Sequence, residues 1–235
     1  GENIPHAEHV YNLSIQLFKQ LKVLPKLPRA YVKVLRTAAM LHDTGNRIKY
    51  YDHHKHSCYI ILNSNLYGIS HKDLVMAAFM ACMHRKGDIN TMEFMRYRDM
   101  LTEEDVDAIF KLGVIVRIAE SLDRSMSGVI KTITCDVLGD SVIMKTDSEG
   151  AECSLEIKDA MTSVGDFRFG RRGGRTAVFS TANHRGSERP ARTAAPVCAR
   201  MRPYASVCVR MRFARARTKR LRMHAYYAKM NTYNN

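Results

Sequence analysis

The chain lacks several features that would place it outside the cytoplasm. Its six cysteines form no CxxC pair, and it shows neither a signal-peptide pattern nor an apolar run long enough to span a membrane. These absences exclude a disulfide-rich secreted scaffold and a membrane-spanning protein. They predict a cytoplasmic protein with reduced thiols and no membrane partner.

Acidic residues are almost absent from the last quarter of the chain, and this accounts for the net charge of +14. Residues 171–235 hold 14 Arg and 2 Lys against the single acid Glu188, whereas residues 1–170 hold 21 basic and 22 acidic residues. The same tail has one leucine and no isoleucine. It is therefore expected to be disordered, and any nucleic-acid binding is expected to act through it alone. A genuine basic arm and an out-of-frame segment would both have this composition.

Residues 1–170 have the patterning of a folded domain. Apolar residues at helical spacing predict five helices, which begin near Asn3, Arg29, His54, Ser70 and Thr102. The fourth helix is apolar nearly all round, so it is expected to be central in a helical bundle.

The pattern changes after Gly128 from a helical period to alternation. The segments IKTITCDV, SVIMKT and CSLEI predict a three-stranded antiparallel meander, and KDAMTSVGDFRF predicts a short closing helix. The expected fold class is mainly α, a helical bundle followed by a small β meander. The expected units are a helical domain over residues 1–127, the meander and its helix over 128–170, and the tail over 171–235.

The stretch AAMLHDTGNRIKYYDHHKHS, residues 38–57, carries four histidines and two aspartates. His42 and Asp43 end the second predicted helix, where the last turn can aim both side chains inward. Imidazole and carboxylate together suit divalent transition metals. The alternative is a helix C-terminus followed by a polar loop with solvated histidines.

Further candidate ligands lie at helix-compatible distances on both sides of this stretch. His6 precedes the apolar stripe of the first helix, whereas His9 neighbours Leu13 at i,i+4 and is expected to point toward the core. Antiparallel helices bring alternate ends together, so the candidate ligands are expected to meet and to hold one or two Mn, Fe, Zn or Mg ions. The ligands predicted in this way are His9, His42, Asp43, His56, His84 and either Glu120 or Asp123.

Each candidate also has a purely structural alternative. His9 can be a satisfied core histidine, His84 can interact with the dipole at the end of its helix, and an acid of the fifth helix can pair with Arg117 or Arg124. If the site is real, Asp43 is its catalytic carboxylate, and the cations predicted to contact phosphate are Arg47, Lys55, Arg85, Lys86 and Arg124.

Several segments together resemble a known family. LHDTGNRIKYYDHHKHSCYIILNS, GISHKDL, MHRK and RIAESLDRS, followed by a β meander, resemble the C-terminal HD-like region of the exopolyphosphatase / guanosine pentaphosphate phosphohydrolase family. That region belongs to the HD superfamily of metal-dependent phosphohydrolases, and the resemblance covers about residues 5–170. It implies an HD-type bundle, a divalent metal, a polyphosphate or nucleotide substrate, and a possible homodimer.

The resemblance leaves two functions open. In that family catalysis is assigned to an N-terminal actin-like domain, and this sequence shows no glycine-rich phosphate loop. In the wider superfamily the last ligand is an Asp after Ala, whereas here Glu120 follows Ala119, so either Glu120 ligates or Asp123 substitutes. The first hypothesis is a metal-dependent phosphohydrolase. The alternative is a catalytically silent module for polyphosphate or nucleotide binding and dimerisation.

Overall fold

The computed structural model of the chain describes residues 3–21, 27–85, 94–138, 141–165 and 207–212. Six α-helices lie within these ranges: α1 Ile4–Leu21, α2 Tyr31–Leu41, α3 His53–Leu62, α4 His71–Cys82, α5 Glu103–Ser121 and α6 Ser154–Gly165. The strands are β1 Thr132–Leu138, β2 Ser141–Asp147 and β3 Val207–Arg212. No helix of the described ranges has both the length and the apolar character needed to cross a membrane. The mainly α fold class predicted from the sequence is confirmed.

Hydroxyl side chains begin α4 and α5. The Ser70 hydroxyl accepts a hydrogen bond from the Asp73 amide at 3.1 Å. At α5, Thr102 and Asp105 form a reciprocal capping box, and the buried Asp105 carboxylate also accepts a hydrogen bond from the Tyr31 hydroxyl at 3.0 Å. The first backbone amides of a helix have no hydrogen-bond partner within the helix. Because these caps supply such partners, they fix where the two helices start.

The helix α4 occupies the centre of the bundle. All its residues from Leu74 to Cys82 are buried, and it packs against α2, α3 and α5. At Gly113 of α5 a Cβ atom would lie 2.9 Å from the Sδ atom of Met83, the residue that follows α4, so a side chain there would crowd this methionine. Because α4 needs cover on every side, the ends of the surrounding helices gather around its C-terminus.

The sheet differs from the predicted meander in its third strand. The hairpin of β1 and β2 is antiparallel, with Thr132 opposite Asp147, and β2 pairs on its other side with β3. The segment CSLEI, predicted as a strand, instead leads into α6. Its buried residues continue as Cys153, Glu156, Ile157 and Ala160, which is helical spacing.

The basic tail was expected to be disordered. It lies outside the described residues except for Val207–Arg212, which form β3. The predicted closing helix is present, and it begins at Ser154, four residues earlier than its predicted segment. The connection between β2 and α6 therefore runs over residues 148–153.

Two glutamines of α1 complete the other edge of β1. The Gln16 amide donates to the Lys131 carbonyl at 3.3 Å and accepts from the Ile133 amide at 2.8 Å. The Gln20 amide donates to the Ile133 carbonyl and accepts from the Cys135 amide at 2.6 Å. One helical turn rises roughly 5–6 Å and two strand residues span roughly 7 Å, so the two side chains match the strand repeat.

This edge contact predicts a measurable loss of stability. Gln16→Ala and Gln20→Ala each remove two hydrogen bonds to β1, so each is expected to lower the free energy of unfolding in urea by about 1–3 kcal/mol. Lys19→Ala, on the exposed side of the same helix, is the control and is expected to cost within about 0.5 kcal/mol. Equal midpoints for all three variants would show that the glutamines do not support the strand.

Candidate metal centre

Four buried histidines come from four helix ends. His6 lies in the first turn of α1, His42 follows α2, His53 is the first residue of α3, and His84 follows α4. Each of these residues is at most 3% exposed. Burying four imidazoles together is costly unless each ring nitrogen has a hydrogen-bond or metal partner. The contacts of these nitrogens therefore indicate which ligand the cluster can bind.

Asp43 lies between the histidines. Its Oδ1 atom is 3.2 Å from the His53 Nε2 atom, 3.6 Å from that of His84 and 3.9 Å from that of His42. Two groups of side chains share this carboxylate, one formed with His6 and His42 and the other with His53 and His84. Within each group the ligand atoms all lie within 4.8 Å of one another. Both groups can therefore hold a metal ion.

Three of the rings are oriented by the same backbone contact. His42, His53 and His84 each place Nδ1 2.6–2.8 Å from the carbonyl three residues earlier, those of Ala39, Tyr50 and Ala81. A carbonyl can only accept a hydrogen bond, so each Nδ1 atom carries the hydrogen. In the neutral rings the Nε2 lone pairs then face the cluster, which is the arrangement of histidines that ligate metal through Nε2.

The contact between His53 and His84 indicates that a cation fits between their rings. Their Nε2 atoms are 2.9 Å apart, although both Nδ1 atoms already carry hydrogen. Two lone pairs at this distance repel unless a proton or a metal ion lies near both. Burial lowers the pKa of His84 to about 3, with further lowering by the charge of His42, so His84 resists carrying that proton. A divalent transition metal therefore suits the donor set of this group.

His6 is held between two carboxylates. Its Nδ1 atom donates to Asp123 at 2.7 Å, and its Nε2 atom is 2.8 Å from a Glu120 oxygen. The same Glu120 oxygen lies 3.0 Å from the His42 Nε2 atom, whereas Asp123 also accepts from the Gly128 amide at 2.8 Å. Glu120 is thus the acid that lies among the Nε2 atoms. Asp123 lies behind His6 and fixes the orientation of its ring.

The charges of this group compensate one another. Burial alone would lower the pKa of His6, but its hydrogen bonds with Asp123 and Glu120 outweigh burial and raise it to about 10. Burial also opposes the charge of His42, yet the hydrogen bond with Glu120 raises its pKa. Burial would raise the pKa of Glu120, but His42 and His6 hold it well below its usual range. A bound metal ion would displace the Nε2 protons of both rings.

A comparison with protein families agrees with this arrangement. Residues 3–159 match a family model described as Ppx/GppA phosphatase, domain III. The chain belongs to this family. The match covers well over half of the chain, and it includes all four histidines, Asp43 and Glu120. The family resemblance found in the sequence is therefore confirmed, and the protein is related to exopolyphosphatases.

Two of the histidines predicted as ligands lie outside both groups. His9 lies beside Gly128, and its buried Nε2 atom has no hydrogen-bond partner among the described residues. His56 packs over Gly45. His6 and His53 occupy the site in their place, and a signal for both exists in the sequence. Counting back four residues along the buried stripe, from Val10 in α1 and from Ser57 in α3, gives His6 and His53.

Gly45 allows the two halves of the site to meet. A Cβ atom at this position would lie 2.0 Å from the His53 carbonyl oxygen and 2.5 Å from the Ser57 amide nitrogen. The Gly45 amide instead donates to the Ser57 hydroxyl at 2.8 Å. The short 3-10 helix Thr44–Arg47 that follows Asp43 therefore lies directly against the start of α3.

The predicted phosphate contacts have different positions. The Arg85 guanidinium lies 5.9 Å from the centre of the Tyr50 ring, and Arg124 approaches Glu120 at 3.8 Å. Hydrogen bonds from Arg85 and Arg124 lower the pKa of the exposed Tyr50. Lys55 pairs with Asp52 at 3.1 Å on the surface. Lys86 lies outside the described residues, and Arg47 borders a cavity considered below.

The raised pKa of His6 predicts how the stability of metal-free protein depends on pH. The stabilisation by its proton is complete below about pH 6.5, the ordinary pKa, and is lost as the pH rises to about 10. The melting temperature of EDTA-treated protein is therefore expected to fall by several degrees over this range. Protein loaded with Mn²⁺ is expected to show no such fall, because the metal has displaced the protons. A level profile for the metal-free protein would contradict this account.

Proposed function

We propose that this protein is a metal-dependent phosphohydrolase that holds one or two divalent ions and hydrolyses a phosphoester or phosphoanhydride. One observation carries the proposal. Three buried histidines are anchored through Nδ1 to backbone carbonyls, and their Nε2 atoms converge on Asp43. Membership of the exopolyphosphatase-related family supports the choice of phosphate as the reacting group.

The residues divide between two ion positions. His6, His42 and Asp43, with Glu120, would hold one ion, and Asp43, His53 and His84 would hold the other. A divalent ion bound there supplies Lewis acidity toward a phosphoryl oxygen and activates water. Asp43 belongs to both groups, so it links their positions.

Other side chains of the site orient groups and balance charge. Asp123 keeps a proton on the His6 Nδ1 atom, which leaves Nε2 to face the centre. Arg85 and Arg124 approach the site from the ends of α4 and α5 and can bind the oxygens of a phosphate group.

A catalytically silent binding module is the second candidate, and the contacts of Glu120 favour it. Its oxygen already pairs with both His6 and His42, so this half of the site is balanced without an ion. Such a module would bind phosphate through its arginines but would retain no metal and release no phosphate. Homodimer formation, a cytoplasmic location and nucleic-acid binding through the tail stay predictions from the sequence.

Metal content distinguishes the two candidates and also tests the ligand set. Purified protein is expected to retain about one or two divalent ions per chain, as in metal-dependent phosphohydrolases. His6→Ala, His42→Ala, Asp43→Ala and His53→Ala are expected to lose metal, whereas His9→Ala and His56→Ala are expected to keep it. Elemental analysis and thermal shift with added Mn²⁺ make the measurement. If the unmodified protein contains no metal and added Mn²⁺ does not raise its melting temperature, the catalytically silent binding module becomes the better candidate.

The cations at the rim give a further prediction. Arg85→Ala is expected to weaken binding of phosphate by about 1–3 kcal/mol, the range of a lost hydrogen bond to a charged group. Metal content is expected to stay unchanged, since guanidinium is not a ligand. The matched control is Arg36→Ala, because the Arg36 guanidinium also lies over a tyrosine ring, 5.6 Å from the centre of Tyr11. Calorimetric titration at fixed salt compares the variants, and equal affinities would remove Arg85 from the site.

A further inference from the structure

A cavity of about 320 Å³ borders the metal centre on the side of His6 and Asp43. Its apolar part is formed by Ala7, Met40 and Met126, and its charged residues are Asp43, Arg47 and, in the metal-free protein, His6. Asn3, Thr44 and Asn46 are neutral and polar. The volume lies at the small end of the range for ligand sites, so it suits a compact group rather than a long one.

Met126 is held at the cavity at a conformational cost. Its φ angle is 56°, a left-handed backbone conformation that residues other than glycine, asparagine and aspartate rarely adopt. Its amide donates to the Asp123 carbonyl at 2.8 Å, and the Asn3 amide contacts its sulfur at 3.4 Å. The side chain stays 49% exposed, so burial in the core does not explain the strain. A strained residue that presents an apolar side chain to a cavity points to contact with a ligand.

The lining of the cavity discriminates between phosphorylated ligands. A linear polyphosphate carries negative charge on every phosphate, and in this cavity it would meet two thioethers, a methyl group and the Asp43 carboxylate. Charged groups buried without partners are costly, and once a metal ion has displaced the Nε2 proton of His6, Arg47 is the one cationic side chain of the lining. An uncharged organic group would instead bury apolar surface against Met40 and Met126, and thioethers make favourable contacts with aromatic rings.

We propose that this cavity takes the organic group of a phosphate monoester, and that the site therefore prefers compact organic monoesters to linear polyphosphate. The proposal rests on the proposed function, because it places the phosphate group at the metal centre. The reaction balances as hydrolysis. The oxygen of water bonds to phosphorus, the ester P–O bond breaks, the alcohol leaves with one proton from the water, and inorganic phosphate remains.

Two phosphonates with the same charged head group test the cavity. Methylphosphonate and phenylphosphonate are titrated calorimetrically into the Mn²⁺-loaded protein. Phenylphosphonate is expected to bind at least about tenfold more tightly, because its ring removes apolar surface from water. Met40→Gln and Met126→Gln are expected to abolish most of this ratio, because they weaken binding of phenylphosphonate far more than binding of methylphosphonate, whose methyl group buries little apolar surface. Met100→Gln is the control, since this partly exposed methionine lies on the 3-10 helix Arg98–Met100, outside the cavity lining.

A second variant separates a loss of ligand binding from a loss of folding. Met126→Asn tolerates the left-handed backbone, so it should keep the melting temperature while losing the preference for the ring. Phosphate release supplies an independent readout, and phenyl phosphate is expected to be hydrolysed faster than tripolyphosphate. Equal binding of the two phosphonates, an unchanged ratio in the methionine variants, or faster hydrolysis of tripolyphosphate would each overturn the proposal and leave the phosphohydrolase function intact. Failure of both phosphonates to bind metal-loaded protein would overturn the proposed function, and this inference with it.

Discussion

The burial of the Glu120 carboxylate is the constraint on which the bundle depends. A carboxylate that is 5% exposed is stable only when cations or hydrogen-bond donors surround it, and His6 and His42 supply them from α1 and α2. The ends of three helices must therefore meet at one point. The same requirement brings Asp43 beside the histidines of α3 and α4, so the geometry of the site and the packing of the bundle have a common origin.

The sequence predicts the central part of the site because helix ends are visible in it. His42, Asp43, His84 and Glu120 each follow or close an apolar helix, and the structure places all four in the centre. The choice of His9 over His6 arose because a position near the start of a helix has few neighbours that define its face. One residue turns a helix by about 100°, so a small error in the stripe selects the wrong histidine. The same explanation applies to His56 and His53.

The parts that the sequence did not predict depend on contacts between distant residues. A short segment such as CSLEI fits both alternation and helical spacing, and its packing against α5 decides the outcome. The pairing of β2 with β3 joins residues more than sixty positions apart, which no local pattern reveals. Met126 is a comparable case, because no local pattern in the sequence predicts its left-handed backbone.

The glutamine contact on β1 also has a consequence for how copies of this protein meet. An exposed strand edge is a template on which another chain can add a strand, and proteins protect such edges. Here Gln16 and Gln20 occupy the donors and acceptors of β1 from Lys131 to Cys135, so an incoming strand finds them already paired. The sheet is thereby closed on the side of α1. Among the described strands, the edge left for the addition of a strand from another molecule is the outer edge of β3.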